Sequence, residues 1–480
     1  MYHNGRWVEA AGGERKQVLN PATGEAVGSV PVGRREDARA CIASAAAAFR
    51  AWSKTTAMER ANLLYAAYRK LTEQADDIAR ILTLEQGKPL TEAKGEVLFA
   101  AEFLRWFSEE AKRIYGETIP ASAPNKRIVV IRQPIGVVAA ITPWNFPASM
   151  VTRKIAPALA AGCTVVLKPA DYTPLTAVAL FRIFDEAGFP PGVVNLVTGK
   201  GREIGAEFVE NPQVDKITFT GSTEVGKQLI RASADQVKRV SMELGGHAPF
   251  IVFEDADLDR AVEACIVSKF RNAGQTCICA NRIYVQDTIM DAFARKLTER
   301  VQAMKIGNGM EPGVEIGPMI DREAMDKVNG QVEDALAKGA VLLTGGKRHR
   351  QGAGAANAES LEGFYYEPTV LSNADESMII TREETFGPVA PLYVFHSEQE
   401  AIDKANAGEY GLAAYAYTND LGRSVRVSEG LQYGIVGIND ALPSVAQAPF
   451  GGWKESGLGR EGGHYGMDAF LEVKYISFGV

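Results

Sequence analysis

Cysteine and histidine are scarce in this chain of 480 residues, with five of each. The cysteines stand at 41, 163, 265, 277 and 279. They are odd in number and scattered, which argues against a disulfide framework and for a reducing compartment. The histidines, at 3, 247, 349, 396 and 464, form no HExxH, and no Cys/His pair has zinc-ligand spacing, so no metal site is expected. Long apolar runs are also missing. The most apolar stretch, Ile155 to Leu167, spans 13 residues, whereas a membrane-crossing helix needs about 20. The start, Met1 to Val8, lacks the apolar core of a signal peptide, and its Asn4-Gly5 reads as a hairpin turn. A soluble, cytoplasmic protein is expected, with no membrane partner. Basic excess is absent too. Lys and Arg number 52 against 59 Asp and Glu, a net charge of -7, which argues against a nucleic-acid partner.

What is present is an ordinary globular composition, 46% hydrophobic and 23% charged, which excludes a disordered or fibrous chain. The length predicts two or three domains. Helical and strand patterns alternate, which predicts an α/β fold with a mainly parallel sheet. Arg35 to Tyr115 reads as long helices, and Arg127–Arg132 and Gly136–Ile141 as strands. From about 136 to 245 the strand–loop–helix rhythm is a nucleotide-binding layout. A second α/β series starts near Pro249–Phe253 and runs to about 445. It is interrupted by a Gly/Ala-rich insertion, Gly345–Gly363, whose Lys347-Arg348-His349-Arg350 cluster reads as a solvated loop.

Two glycine-rich segments invite a phosphate-loop reading. Gly221-Ser-Thr-Glu-Val-Gly226-Lys227 fits GxxxxGK, but Gln228 replaces the Ser or Thr that would hold Mg²⁺. What survives is a strand ending in glycine before a helix whose free N–H groups suit a pyrophosphate. Gly199-Lys-Gly201-Arg-Glu-Ile-Gly205 has one residue too many for GxGxxG and reads as a turn before a helix.

Seven further segments occur in a fixed order along nearly the whole chain. They are Thr142-Pro-Trp144-Asn145-Phe-Pro147, Lys168-Pro-Ala170, Phe219-Thr-Gly221-Ser222, Met242-Glu243-Leu-Gly-Gly246, Gly274-Gln-Thr-Cys277, Glu383-Glu384-Thr-Phe386-Gly-Pro388 and Pro449-Phe-Gly-Gly452. In this set the chain resembles the NAD(P)-dependent aldehyde dehydrogenase superfamily. The resemblance implies a Rossmann-type parallel-sheet cofactor domain (1-116 and 136-245), an α/β catalytic domain (246-445) and a small β oligomerisation element (117-135 and 464-480). That element would pair edge strands between subunits in a homodimer or homotetramer.

The chemistry accounts for the residue types. An aldehyde releases hydride only after a nucleophile makes its carbon tetrahedral, and a thiolate leaves a thioester that water can cleave. By resemblance, Cys277 is the nucleophile. The Asn145 amide and the Cys277 N–H are the oxyanion donors. Glu243 is the base that activates water. Its presence favours hydrolysis to a free acid over acyl transfer to coenzyme A. For the cofactor, Trp144, Lys168, Gly221, Ser222, Glu384 and Phe386 occupy the family's binding positions. Asp171 is placed to accept from a ribose 2′-OH, which favours NAD while leaving NADP open. His247 departs from the commonest residue after Glu243-Leu-Gly-Gly.

Two positions that line the family's substrate tunnel hold Arg153 and Arg271. Read alone they are surface arginines. Buried, they would need anions. With Ser444 they resemble the set of the succinate-semialdehyde dehydrogenases and imply a small anionic aldehyde as substrate. Glutarate semialdehyde and sulfolactaldehyde satisfy the same chemistry. A catalytically silent relative of the same fold and a phosphate-loop NTPase are the more distant readings. Cys279 reads either as packing or as a redox partner of Cys277.

Overall fold

A computed structural model describes residues 1–349 and 363–480. Most of the Gly/Ala-rich insertion, Arg350 included, lies outside the described residues. Of its basic cluster, Arg348 pairs with Asp326, while Lys347 and His349 face Glu367. These acidic neighbours fit the solvated-loop reading. No helix among the described residues is long and apolar enough to cross a membrane.

The chain opens on the expected hairpin, with Asn4 and Gly5 at φ 49° and 70° between the strands Tyr2–His3 and Arg6–Trp7. The Ala- and Leu-rich stretch then forms four helices, Arg35–Trp52, Ala57–Glu73, Ala75–Gln86 and Leu90–Glu110. Thr56 and Glu59 form a reciprocal capping box that starts the second. Gly87, left-handed at φ 97°, ends the third, and Pro89 prevents its continuation. The bend between them delivers Lys88 into the interior.

The first sheet has eight strands. Its parallel core runs, in spatial order, Val194–Leu196, Thr164–Lys168, Val137–Ile141, Lys216–Thr220 and Arg239–Glu243. Val137–Ile141, Thr164–Lys168 and Lys216–Thr220 are rich in β-branched or small apolar residues and are almost wholly buried, as parallel strands between helical layers must be. Strand order reverses between Val137–Ile141 and Lys216–Thr220. The crevice at their carboxyl ends is therefore the binding position of an open α/β sheet. Gly221-Ser222 follows one of these strands. Thr142 to Asn145 follows the other.

The second sheet has seven strands. It reverses in the same way about Ala248–Val252, which is flanked by Ala280–Gln286 on one side and Ala413–Tyr417 on the other. Only Leu244 to His247 separates Glu243, the last residue of a first-sheet strand, from Ala248, the first of a second-sheet strand. The carboxyl ends of one sheet thus meet the amino ends of the other across a glycine pair. A third sheet joins Leu471–Gly479 to Lys126–Pro134 over nine register pairs, and Lys126–Pro134 to Glu117–Ile119.

Candidate active site

Cys277 lies in the loop between the tight turn Arg271–Gly274 and the strand Ala280–Gln286. Asn272 and Ala273, just before it, are both left-handed at φ 53°. Non-glycine residues hold that conformation only when their surroundings enforce it. The Asn272 side chain supplies part of that enforcement, donating to the carbonyls of Asn145 at 3.0 Å and Gln275 at 3.2 Å. Cys277 is half-buried. Burial pushes its thiol up to about 12, against the pull of Arg153 and Arg271, so the resting group is the protonated thiol. Its backbone N–H has no hydrogen-bond partner among the described residues.

Two cavities meet at this cysteine. One, of about 280 Å³, is lined by Trp144, Asn145, Gly221, Ser222, Glu384 and Phe386, among others. Trp144 and Phe386 meet edge to face, their ring centroids 5.5 Å apart. Ser222 caps the helix Thr223–Ser233, its Oγ accepting from Val225 N–H at 3.4 Å, so the remaining first-turn N–H groups face outward. The Glu384 carboxylate accepts from Gly246 N–H at 3.0 Å, and burial raises its proton affinity to about 7. The segment expected as a turn before a helix is one. Gly199, at φ 139°, precedes the helix Gly201–Glu210 and lines a further cavity of about 360 Å³ beside Asp171. Lys168 is buried and ion-paired with Asp171, and Lys16 stands near.

The other cavity at Cys277, of about 330 Å³, is lined by Arg153, Arg271, Ser444, Phe146 and Phe450 among others. It brings the three expected substrate residues together. Arg153 is 3% exposed, and its Nε and Nη1 donate to nothing. Its guanidinium lies between the rings of Phe450 and Phe103, 4.1 and 5.1 Å from their centroids. The nearest carboxylate is Glu461, 4.0 Å from Nε. The surface-arginine reading therefore fails for Arg153. Arg271 is more open and sits 5.4 Å from the Phe146 ring, with no ion-pair partner among the described residues.

Glu243 ends its strand 3% exposed, not solvated as a bare strand-end glutamate usually is. Burial, and then the charge of Glu461, push its carboxyl well above the ordinary range, and its Oε2 has no hydrogen-bond partner. Glu461 is itself bonded to Lys154 at 2.5 Å. Gly246 lies hard against the nucleophile loop: a Cβ there would stand 2.1 Å from the Cys277 carbonyl oxygen. His247 is buried with Nε2 2.9 Å from the Thr381 carbonyl, and burial with Arg282 nearby keeps it neutral. Cys279 lines neither cavity at Cys277. Its sulfur packs against Lys269, which donates to it at 3.4 Å, as the packing reading requires.

The family model for the aldehyde dehydrogenase family matches residues 7–476. The chain belongs to that family. It is 54% identical over 478 residues to glutarate-semialdehyde dehydrogenase of Pseudomonas aeruginosa, covering 100% of this chain and 97% of the relative. It is also 54% identical over 477 residues to the NADP(+) succinate-semialdehyde dehydrogenase GabD of Escherichia coli, covering 99% and 97%. Among solved structures, an aldehyde dehydrogenase from Brucella melitensis biovar abortus 2308 superposes with a TM-score of 0.96 at 55% identity, covering 99% of this chain and 96% of that one. Family membership settles the Gly221–Lys227 segment as part of an aldehyde dehydrogenase and removes the NTPase reading.

Sequence reasoning missed several groups that shape this site. They are Phe103 and Phe450 around Arg153, the Lys154–Glu461 pair beside Glu243, and Lys88 with Glu96. Glu461 lies 307 residues from Lys154, and Glu96 lies eight from Lys88, beyond the three- or four-residue spacing of a helical ion pair, so neither pair carries a local signal.

Proposed function

We propose that the protein oxidises a short aldehyde with a terminal anion, succinate semialdehyde first, to the carboxylic acid. One observation carries the substrate class: a buried arginine with two unpartnered donors on the wall of a cavity that ends at Cys277. A buried guanidinium is stable only with an anion or a dense set of acceptors. A substrate carboxylate supplies charge-assisted bonds to Arg153, with Arg271 and Ser444 as further donors. The relatives named for succinate and glutarate semialdehyde act on aldehydes of this class. Glutarate semialdehyde, one methylene longer, and sulfolactaldehyde remain the alternatives with the same chemistry.

The residues present suit NAD or NADP. One cavity lies at the switch point of the parallel sheet, with a helix start facing it, a second lies past the ends of Thr164–Lys168 and Val194–Leu196, and buried Lys168 and Glu384 offer a donor and an acceptor for ribose hydroxyls. When bound, the nicotinamide supplies the hydride acceptor. Asp171 favours NAD through the ribose 2′-OH. Its pairing with Lys168 weakens the repulsion of a 2′-phosphate, so NADP is accepted as well.

In this reading Glu243 takes the Cys277 proton through water, and the thiolate attacks the aldehyde carbon. The oxyanion that forms is held by the free Cys277 N–H and by the second N–H of the Asn145 amide, whose first donates to Gln275 O at 3.0 Å. Loss of hydride from that carbon leaves a thioester on Cys277. Glu243, once it has passed that proton to solvent and is a carboxylate again, deprotonates a water, which cleaves the thioester and frees the acid and the thiolate.

The sheets support a division into a cofactor domain (1-116 and 136-245), a catalytic domain (246-445) and a bridge (117-135 and 464-480). The segment 446-463 returns to the first sheet through the strand Gly457–Leu458. A homodimer or homotetramer would cover the bridge's exposed strand, and the cysteine pattern fits a reducing, cytoplasmic setting.

The substrate reading is tested by steady-state kinetics of Arg153→Met, which keeps the packing between Phe103 and Phe450. We expect kcat/KM to fall about a hundredfold or more on succinate semialdehyde and little on butanal. Equal losses on the two aldehydes would refute the anion site.

A further inference from the structure

Asn145 hangs from a hub of buried polar groups that spans both halves of the molecule. Its carbonyl oxygen accepts from Lys88 Nζ at 2.8 Å and from Asn272 Nδ2 at 3.0 Å. The Lys88 side chain is wholly buried and ion-paired at 2.6 Å with Glu96, itself 2% exposed. The other oxygen of Glu96 accepts from the N–H groups of Ala148 and Ser149, at 2.8 and 3.3 Å, where the helix bearing Arg153 begins. The Lys88 N–H donates to Gln86 Oε1 at 3.0 Å, and Gln86 Nε2 donates to Asn272 Oδ1 at 2.8 Å. Lys88 Nζ also lies 3.9 Å from the centre of the Phe146 ring, one residue past Asn145.

A buried ammonium is a costly way to fill a core, and an apolar side chain of equal length would pack as well. What the ammonium supplies is direction. With two donors on its carbonyl oxygen, the Asn145 peptide cannot rotate, and its side chain leaves the backbone along one line. Through Asn272 the same hub fixes the left-handed turn that precedes Cys277. The nucleophile and the amide that faces it are thus held to a common set of bonds, although they come from different sheets.

We propose that Lys88, clamped by Glu96, is a positioning residue for the oxyanion-binding amide of Asn145. It does not touch the reacting atoms and acts through the Asn145 peptide. The proposal rests on the reading of Asn145 as an oxyanion donor given above.

The test is a double-mutant cycle in the full-length enzyme. Lys88→Met is made alone, with Asn145→Ala, and with Glu96→Gln, the last so that no lone carboxylate is left buried and the fold is retained. Assays use succinate semialdehyde and butanal, with the rate of Cys277 alkylation by iodoacetamide measured in parallel. We expect Lys88→Met, or its Glu96→Gln partner if the single variant does not fold, to lower kcat about tenfold or more on both aldehydes. Alkylation of Cys277 should stay within about twofold, since a misplaced amide does not disarm the thiol. On top of Asn145→Ala the Lys88 change should cost nothing further. A kcat that is unchanged, or losses that multiply in the combined variant, would overturn the proposal. If Asn145→Ala alone left kcat intact, the oxyanion reading would fall and the proposal with it. Failure of the anionic-substrate reading would show separately, as loss of the preference for succinate semialdehyde in the wild-type enzyme.

Discussion

At the residue scale, the site depends on charges kept short of partners. Arg153 faces its cavity with two idle donors, and Glu243 has an oxygen with none. The acid limb of activity follows from the second of these. As the proposed base Glu243 must be ionised to accept a proton, and burial together with Glu461 holds its carboxyl well above the ordinary range. Glu461→Gln removes the like charge and leaves Lys154 unopposed. Both changes lower the Glu243 pKa, so the acid limb of kcat/KM should move to lower pH. A pH–rate profile that stayed in place, or moved to higher pH, would contradict this assignment of the limb. Much of this scale was legible in the sequence. Cys277, Asn145 and Glu243 each stand within a run of consecutive motif residues, and so could be found without coordinates. Lys88 could not, because its acceptor Asn145 lies 57 residues away and a Lys at the start of a helix normally reads as solvated.

At the element scale, the joint between the sheets is the sensitive part. The first sheet passes Glu243 to the second through Gly245 and Gly246, and Gly246 lies where any side chain would meet the Cys277 carbonyl. Gly246→Ala must displace either that carbonyl or the turn. We expect kcat to fall about a hundredfold, the scale of an ångström's misplacement, with a smaller loss of thermal stability. Stopped-flow measurement of NADH formation would check it, and a normal rate would show that the loop yields freely. The strands themselves were readable, since near-continuous Val, Ile and Ala runs of four to six residues have few other uses. Their spatial order was not readable from local pattern, because reversal at Val137–Ile141 and at Ala248–Val252 depends on which strands pair at long range.

At the scale of the whole molecule, the third sheet presents a long edge. Among the described residues Leu471–Gly479 pairs on one side only, and Val473, Tyr475 and Phe478 on it are 67%, 60% and 49% exposed. A strand of this length left open would invite uncontrolled pairing. Val473→Glu with Tyr475→Glu should lower the mass seen by analytical ultracentrifugation at micromolar concentration while leaving the monomer folded. An unchanged mass would refute the proposed pairing of subunits through this edge. Composition had pointed away from nucleic acid and membrane but said nothing of this edge, since an exposed apolar residue carries no mark in a sequence until its neighbours are known.

The segment from Ala446 to Gly459, with Glu461 just beyond, has a bearing on how the molecule is made. Phe450 covers Arg153, Gly457 pairs with Glu243, and Glu461 sets the charge around both. All three emerge from the ribosome after every other residue of the site. A nascent chain can therefore form the parallel core of its cofactor sheet and present Cys277 while the proposed base still lacks its strand partner and the arginine its aromatic cover. Such a chain holds a thiol without the means to turn it over. In the proposed mechanism turnover waits for this late segment to dock, so truncated products should be inert rather than partly active.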